Sequence, residues 1–174
     1  MTPPSKTPPV IGVAGWKKSG KTTLVARLIT EFTARGLNVA TIKHAHHDFQ
    51  VDDAETDSAK HRRSGARQVA VVSARRWALI SELGDTPEPR LEEVIAHLAP
   101  CDLVIVEGYK AAPIPKIEAR RRAAVSTVPL ARDDPHVLAI AADHEVTDTA
   151  VPVFALDDIT GIANFISRSL KLAV

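Results

Sequence analysis

The sequence has 174 residues, of which 45% are hydrophobic and 25% charged, and its formal net charge is +1 at pH 7. This length suits one domain with a substantial core, and the near-neutral charge gives no electrostatic case for binding nucleic acid or a membrane surface. The single cysteine, Cys101, excludes an internal disulfide and a multi-cysteine metal site. No apolar stretch approaches the roughly 20 residues that span a bilayer.

The N-terminal part of the chain predicts a strand, a loop, a helix and a second strand. Residues 1–9 are rich in Pro, Thr, Ser and Lys and lack the apolar centre of a signal peptide, so we expect a disordered tail on a cytoplasmic protein. Val10–Ala14 is an apolar run that leads into a glycine-rich loop, and apolar residues then recur at helical spacing as far as Gly36. Residues 37–43 favour a strand. Together these segments predict an α/β layered fold.

The remainder of the chain predicts more strands than helices. Residues 44–57 form a polar loop rich in His and Asp, and a short helix capped by Asp57 or Ser58 follows it. The other predicted strands cover residues 68–73 and 77–83 (an antiparallel hairpin on the sheet), 102–107, 116–119, 137–142 and 151–156, and the other helices cover 91–98 and 159–172. We therefore predict a single domain over residues 10–174, a three-layer P-loop fold with a mostly parallel central sheet and an antiparallel hairpin addition.

The glycine-rich loop carries the clearest chemical signal. Its sequence, GWKKSGKT, matches the pattern G-x-x-x-x-G-K-[S/T], in which converging backbone N–H groups and the N-terminus of the next helix hold phosphate oxygens. Lys21 is expected to reach the β- and γ-phosphates, and the Thr22 hydroxyl to hold Mg²⁺. The residues assigned to the nucleotide here are Gly15, Trp16, Lys17, Lys18, Ser19, Gly20, Lys21, Thr22 and Thr23.

Two further segments carry candidate ligands. Glu107 ends a buried apolar strand, where an acid points into the ligand crevice of α/β folds and helps to hold Mg²⁺ through water; the alternative is an acid that faces solvent. The sequence KHAHHD at residues 43–48 is placed to respond to a γ-phosphate. Its His and Asp side chains suit a transition metal or an attacking water, with Asp48 and Asp52 as the catalytic candidates, and a solvated polar loop is an equal alternative.

Several strings together resemble one family. They are GWKKSGKTT, IKHAHHDF at residues 42–49, DS at 57–58, HRRSGA at 61–66, VEGYK at 106–110 and PKIE at 115–118. In this order they resemble molybdopterin-guanine dinucleotide biosynthesis protein B (MobB). The resemblance implies a homodimeric GTP-binding accessory protein with weak GTP hydrolysis. Such a protein assists a guanylyltransferase partner that attaches GMP to molybdopterin.

The resemblance also implies site residues. The His44–Asp48 loop and residues 110–118, including Lys110 and Lys116, would contact the nucleotide, Mg²⁺ or molybdopterin, and Lys116 with Arg120 would suit a pterin phosphate. The chain departs from the family at residues 53–56, DAET, where a Pro-Gly-Lys stretch is usual. No Asn-Lys-x-Asp string is present, so Asp143 is the candidate acceptor for the guanine N1 and N2 hydrogens.

Two other functions remain open from the sequence. A small-molecule kinase on the same scaffold would need a lid of arginines, which Arg120, Arg121 and Arg122 offer. A metal-delivery GTPase would use His44, His46 and His47 as imidazole ligands. Phosphate transfer to an acceptor would identify the first, and stoichiometric Zn²⁺ or Ni²⁺ binding the second.

Overall fold

A computed structural model describes residues 7–45, 49, 51–52 and 55–173. The chain divides into two compact units, one formed by Met1–His44 with Ile95–Val174 and the other by Ala45–Val94. Most of the predicted N-terminal tail, residues 1–6, lies outside the described residues. The assignment of residues 10–174 to a single domain stays a prediction.

The first unit is built on a six-stranded parallel sheet with strand order β2-β5-β1-β6-β7-β8. The strands are β1 (Val10–Ala14), β2 (Val39–Lys43), β5 (Leu103–Glu107), β6 (Lys116–Arg120), β7 (Val137–Ala142) and β8 (Val153–Ala155). The fully buried β5 explains its unbroken apolar sequence, because a parallel strand covered on both faces has no solvent side to make polar.

The register of this sheet brings the ends of three strands together. Glu107 at the end of β5 is level with Lys43 on β2 and with Val13 on β1. Because all three strands run in the same direction, their carboxyl ends meet at one edge of the sheet. The glycine-rich loop leaves β1 at that same edge, which is where open α/β sheets bind ligands.

Two long helices complete the core of this unit. Helix α1 (Lys21–Ala34) and helix α4 (Ile159–Leu170) lie in contact with each other. The buried apolar residues of α1 are Leu24, Val25, Leu28 and Phe32, and those of α4 are Ile162, Ala163 and Ile166. Helix α1 ends as predicted before Gly36, whose φ of 85° lies in the left-handed region.

The second unit contains the helix α2 (Asp57–Arg63) and the strands β3 (Gln68–Val72) and β4 (Trp77–Ser81), and helix α3 covers Leu91–Ala96. The predicted antiparallel hairpin is confirmed, but β3 and β4 form a two-stranded sheet of their own and do not join the six-stranded sheet as expected. Helix α2 is capped by Thr56, whose side chain accepts a hydrogen bond from the backbone N–H of Ala59 at 3.3 Å, and not by the predicted Asp57 or Ser58.

The last strand is shorter and more exposed than its apolar sequence predicts. Only three of residues 151–156 are in strand β8, and the side chain of Val153 is 40% exposed. β8 lies at the edge of the sheet with one neighbour, and Pro152 before it has no N–H to donate. None of the helices in the described parts of the chain has both the length and the apolar character to cross a membrane.

Candidate functional site

The glycine-rich loop is held in a tight curve between β1 and α1. Gly15 and Gly20 have φ angles of 151° and 89°. A Cβ atom on Gly15 would lie 2.4 Å from the Ser19 Oγ and 2.5 Å from the backbone oxygen of Ala119. Side chains at these positions would therefore force the loop open, and the curved backbone that suits phosphate oxygens requires glycine.

Lys21 lies at the centre of the loop. Its Nζ donates a hydrogen bond to the backbone oxygen of Trp16 at 2.8 Å. Burial lowers the pKa of Lys21 below its usual value, and the charge of Glu107 opposes that shift. The charges of Lys110 and Lys43 lower the same pKa further. Lys21 therefore lies within electrostatic reach of two further lysines and one carboxylate, an excess of positive charge that an anionic ligand would neutralise.

Thr22 and Glu107 meet beside this lysine. The Thr22 Oγ1 donates a hydrogen bond of 2.7 Å to the Glu107 Oε1, and the Lys43 Nζ lies 3.7 Å from the same oxygen. Glu107 is 9% exposed, so it does not face solvent as the alternative supposed. A hydroxyl and a carboxylate are the hard oxygen ligands that Mg²⁺ prefers, and the pair fits the ion predicted from the sequence.

Trp16 ties the loop to its surroundings. Its ring lies 4.0 Å from the Lys110 Nζ, measured to the ring centroid, and its Nε1 donates to the backbone oxygen of Val128 at 2.8 Å. The backbone N–H of Val125 donates to the Lys17 oxygen at 3.0 Å. The structure thus brings Lys110 to the loop, as the sequence predicts, and also shows that residues 125–128 brace the loop, which no motif indicated.

His44 lies at the same edge of the sheet. Its backbone N–H donates to the Glu107 oxygen at 2.9 Å, and its ring centroid is 4.4 Å from that of Tyr109. A Cβ atom on Gly108, whose φ is 94°, would lie 3.1 Å from the His44 Cβ. The predicted neighbours His46, His47 and Asp48 lie outside the described residues. Within the part of the chain that is described, no three His, Cys, Asp or Glu side chains gather as metal ligands.

A cavity of about 750 Å³ opens beside the start of α1. The cavity is lined by residues of the loop and α1, the residue after β6, the end of β7 and the residues after it, and β8 and the residues after it. They are Gly20, Thr23, Leu24, Arg27, Arg121, Ala142, Asp143, His144, Glu145, Val146, Val153, Phe154, Ala155, Leu156 and Asp157. Because Gly20 and Thr23 belong to the predicted phosphate site, the cavity continues directly from that site. Its volume is in the range of small-molecule and cofactor sites.

Asp143 lies in this cavity with a fixed carboxylate. Its Oδ1 accepts hydrogen bonds from the backbone N–H of Arg122 at 3.0 Å and from the His144 Nδ1 at 2.9 Å. The pKa of Asp143 is lowered, first by the His144 hydrogen bond and then by that of the Arg122 backbone, while burial opposes the shift. The charges of His144 and Arg121 add to the lowering. The group is therefore an ionised hydrogen-bond acceptor at neutral pH.

Lys116 is placed differently from the sequence prediction. Its side chain is 1% exposed, and its Nζ donates a hydrogen bond to the Asp134 Oδ2. Asp134 also accepts from the backbone and the ring of His136, at 2.9 and 3.0 Å. The ammonium group is thus enclosed and neutralised within the protein, and we propose no phosphate contact for Lys116.

Glu118 and Arg120 form a second enclosed group on the same strand. Glu118 is 1% exposed and accepts hydrogen bonds from the backbone N–H groups of Leu130 and Ala131, at 3.0 and 2.9 Å. Arg120 donates to Glu118 at 3.0 Å and to Asp148 at 3.4 Å. The PKIE segment therefore holds residues 130–134 in place through these hydrogen bonds. Sequence reasoning missed this because the partners lie 12 to 18 residues away without a recognisable spacing.

Asp52, the second catalytic candidate, lies in the unit formed by Ala45–Val94. Its Oδ2 accepts from the Ser58 hydroxyl at 2.6 Å, and its Oδ1 is ion-paired with Arg62, which also pairs with Glu82. The Ser58 hydrogen bond lowers the pKa of Asp52 most, burial opposes it, and Arg62 lowers it further. These contacts fasten the segment before α2. A catalytic role for Asp52 stays a prediction.

Comparison with known proteins gives consistent relatives. The family model described as molybdopterin guanine dinucleotide synthesis protein B matches residues 10–143. The molybdopterin-guanine dinucleotide biosynthesis adapter protein of Haemophilus influenzae is 39% identical over 167 residues, covering 93% of this chain and 89% of that protein. The adapter protein of the same name from Escherichia coli is 37% identical over 160 residues, with 91% of each covered.

Solved structures agree with this relationship. A crystal structure of molybdopterin-guanine biosynthesis protein B superposes with a TM-score of 0.72 at 30% identity, covering 92% of this chain and 99% of that one. The MobB homologue from Bacillus stearothermophilus gives a TM-score of 0.69 at 28% identity, covering 93% and 97%. On the combined ground of the family model, the relatives and the fold, this chain belongs to the molybdopterin guanine dinucleotide synthesis protein B family.

Proposed function

We propose that this protein binds GTP with Mg²⁺ and acts as an accessory protein in molybdenum cofactor biosynthesis, where it assists the conversion of molybdopterin to molybdopterin guanine dinucleotide. The family relationship supports the pathway, since the relatives are named for that step. The observation that carries the nucleotide part is the cavity of about 750 Å³ that continues from the glycine-rich loop. It gives a base and a sugar a place next to a triphosphate cradle.

In this proposal each part of the site has a role. The loop backbone and Lys21 hold the phosphates, and Lys110 adds positive charge next to Trp16. Thr22 and Glu107 hold Mg²⁺, which when bound neutralises phosphate charge. Asp143 accepts the N1 and N2 hydrogens of guanine. GTP hydrolysis is weak at most, and the roles of Asp48 and Asp52 in it remain sequence-based predictions.

The nucleotide assignment is tested by calorimetric titration of Mg²⁺·GTP and Mg²⁺·ATP into the full chain and its Lys21→Ala variant. We expect GTP to bind more tightly than ATP, and the variant to lose at least about tenfold in GTP affinity because a charge-assisted contact is removed. Omitting Mg²⁺ should weaken GTP binding to the unaltered chain. A strict preference for ATP would overturn the assignment of GTP, and unchanged affinity in the variant would overturn that of the cradle.

The accessory role is tested by adding the protein to a purified molybdenum cofactor guanylyltransferase with molybdopterin and GTP, and measuring dinucleotide formation. An increase that the Lys21→Ala variant fails to produce is expected. Direct binding of molybdopterin to the protein is measured separately. Equal yields with and without the protein would contradict an assisting role.

We also propose that the protein is a homodimer in the cytoplasm. The support on this chain is one face of the β3–β4 hairpin, where Ala70 pairs with Leu79 and Val72 with Trp77. The side chains of Val72, Trp77 and Leu79 are 74%, 70% and 48% exposed, an apolar surface of the kind that marks interfaces. The mass in solution should be that of two chains and should fall towards one in a Trp77→Ser variant. A monomeric mass for the unaltered chain would refute the homodimer.

A further inference from the structure

Arg121 occupies a position between the phosphate loop and the cavity that no motif assigned. It follows β6 directly and lies against the last glycine of the loop. A Cβ atom on Gly20 would be 3.0 Å from the Arg121 Nε and 3.4 Å from its Cζ, so the guanidinium covers the start of α1. Arg121 lines the cavity of about 750 Å³ and a second, adjoining cavity of about 180 Å³.

The neighbouring arginines do not share this setting. Arg120 is drawn into the ion pairs with Glu118 and Asp148, and its side chain is 12% exposed. Arg122 is exposed, and its backbone N–H donates a hydrogen bond to the Oδ1 of Asp143, which lines the cavity. Of these three arginines, Arg121 is therefore the one that lines the larger cavity, and it does so alongside Asp143.

A guanidinium and a carboxylate in one cavity match the polar edge of guanine. Guanine presents N1 and N2 hydrogens as donors and O6 and N7 as acceptors, and an arginine pairs well with O6 and N7. Adenine presents an amino group where guanine has O6, and an acceptor where guanine has the N1 hydrogen. With adenine the carboxylate would lose both of its donors, and the guanidinium would keep only N7 and face an amino group in place of O6. Leaving such groups unpaired in a binding site is what gives strong discrimination.

We propose that Arg121 is a specificity-determining residue of the nucleotide site, which donates to the O6 and N7 edge of guanine while Asp143 accepts from N1 and N2. This inference rests on the proposed GTP binding and adds the basis of the base preference. The contact with Gly20 positions the guanidinium, because the glycine at this place, with its φ of 89°, lets the arginine lie directly on the loop.

The test is calorimetry on the full chain with Mg²⁺·GTP and Mg²⁺·ATP, comparing Arg121→Met and Arg121→Lys with the unaltered protein. We expect Arg121→Met to lower GTP affinity by roughly 10- to 100-fold, the range of one bidentate contact, and ATP affinity by less than about threefold. Arg121→Lys keeps the charge but not the two-pronged donor geometry, so the GTP to ATP ratio should still fall at least about fivefold. Arg168→Met, which removes the same charge from an exposed position on α4 outside both cavities, is the matched control and should leave the ratio unchanged.

Two results would overturn the inference in distinguishable ways. Equal losses for GTP and ATP in Arg121→Met, with the ratio unchanged in both variants, would make Arg121 a phosphate-binding cation without a role in base choice. Absence of GTP binding by the unaltered chain would overturn the proposed function, and this inference with it. Circular dichroism of each variant verifies that the fold is intact, and Arg121→Lys provides the decisive ratio if Arg121→Met is poorly folded.

Discussion

Two charged regions of the first unit lie close in the sequence yet are organised in opposite ways. At the edge of the sheet, Lys21 interacts with Lys43, Lys110 and the Glu107 carboxylate, which leaves an excess of positive charge among the described residues there. On β6, Lys116 is neutralised by Asp134 inside the protein. Lys110 and Lys116 are six residues apart in one continuous string, VEGYKAAPIPKIE. A charged side chain within a recognisable motif is thus available to a ligand only where no other residue of the protein already neutralises it.

The strongest test of this contrast is a Lys116→Met substitution, which should destabilise the protein by about 3 kcal/mol. It removes one partner of an enclosed ion pair and leaves the Asp134 carboxylate without its principal cation. The measurement is urea denaturation followed by circular dichroism, with the Lys110→Met variant as control. Lys110→Met should lie within about 0.5 kcal/mol of the unaltered chain. Equal effects of the two substitutions would remove the distinction between an enclosed and an open lysine.

The converse test concerns binding. Lys110→Met should weaken Mg²⁺·GTP binding by about tenfold, because it removes positive charge beside the phosphate loop and the contact with the Trp16 ring. The loss should diminish as salt is raised, since part of it is long-range attraction. Lys171→Met, which removes a lysine at the end of α4, is the charge-matched control in calorimetry. An equal loss in both variants would show only an effect of net charge.

The smallest predicted effect is on the pH dependence of stability. Burial favours a higher pKa for Asp134, but the hydrogen bonds from Lys116 and His136 outweigh it and hold the pKa below the ordinary 3.8. A carboxyl group with a depressed pKa contributes stability that is present above pH 3.8 and lost as the pH falls through the lower, folded-state value. The free energy of unfolding should therefore fall less steeply below pH 4 in Asp134→Asn than in the unaltered chain. Parallel curves from pH 7 to pH 2 would contradict the assigned ion pair.

Much of the fold was accessible from local patterns. Three patterns were enough to predict their elements: the apolar run of β5, the helical spacing in α1 and the glycine at the end of α1. Each depends only on neighbouring residues and on which faces of the element are buried. The exposure of β8 was not predicted, since a three-residue edge strand has the same apolar letters as a buried one. The β3–β4 hairpin itself was predicted, but its separation from the six-stranded sheet was not, because local patterns do not show which strands join one sheet.

The candidate site likewise contains residues that the sequence predicted and residues that only the structure revealed. The loop, Lys21, Thr22 and Glu107 came from the sequence, and the structure places Thr22 and Glu107 in direct contact across 85 positions of chain. Arg121 was noticed only as one of three consecutive arginines, and nothing in their order distinguishes the one that lies on Gly20. The partners of Lys116 and Glu118 are separated from them by irregular segments, for which spacing carries no information.

The sequence alone determined that this chain has a phosphate loop between a strand and a helix, because glycine conformations, loop length and the following helix are all encoded within some fifteen consecutive residues. Its longer strings also determined the family. Only the tertiary structure decided which charges stay available to a ligand, namely those of Lys21, Lys43 and Lys110 near Glu107. It also decided which charges are neutralised inside the protein, as that of Lys116 is by Asp134. The physical reason is that neutralising a charge depends on distance in space, which the register of the sheet and the path of the loops between strands establish.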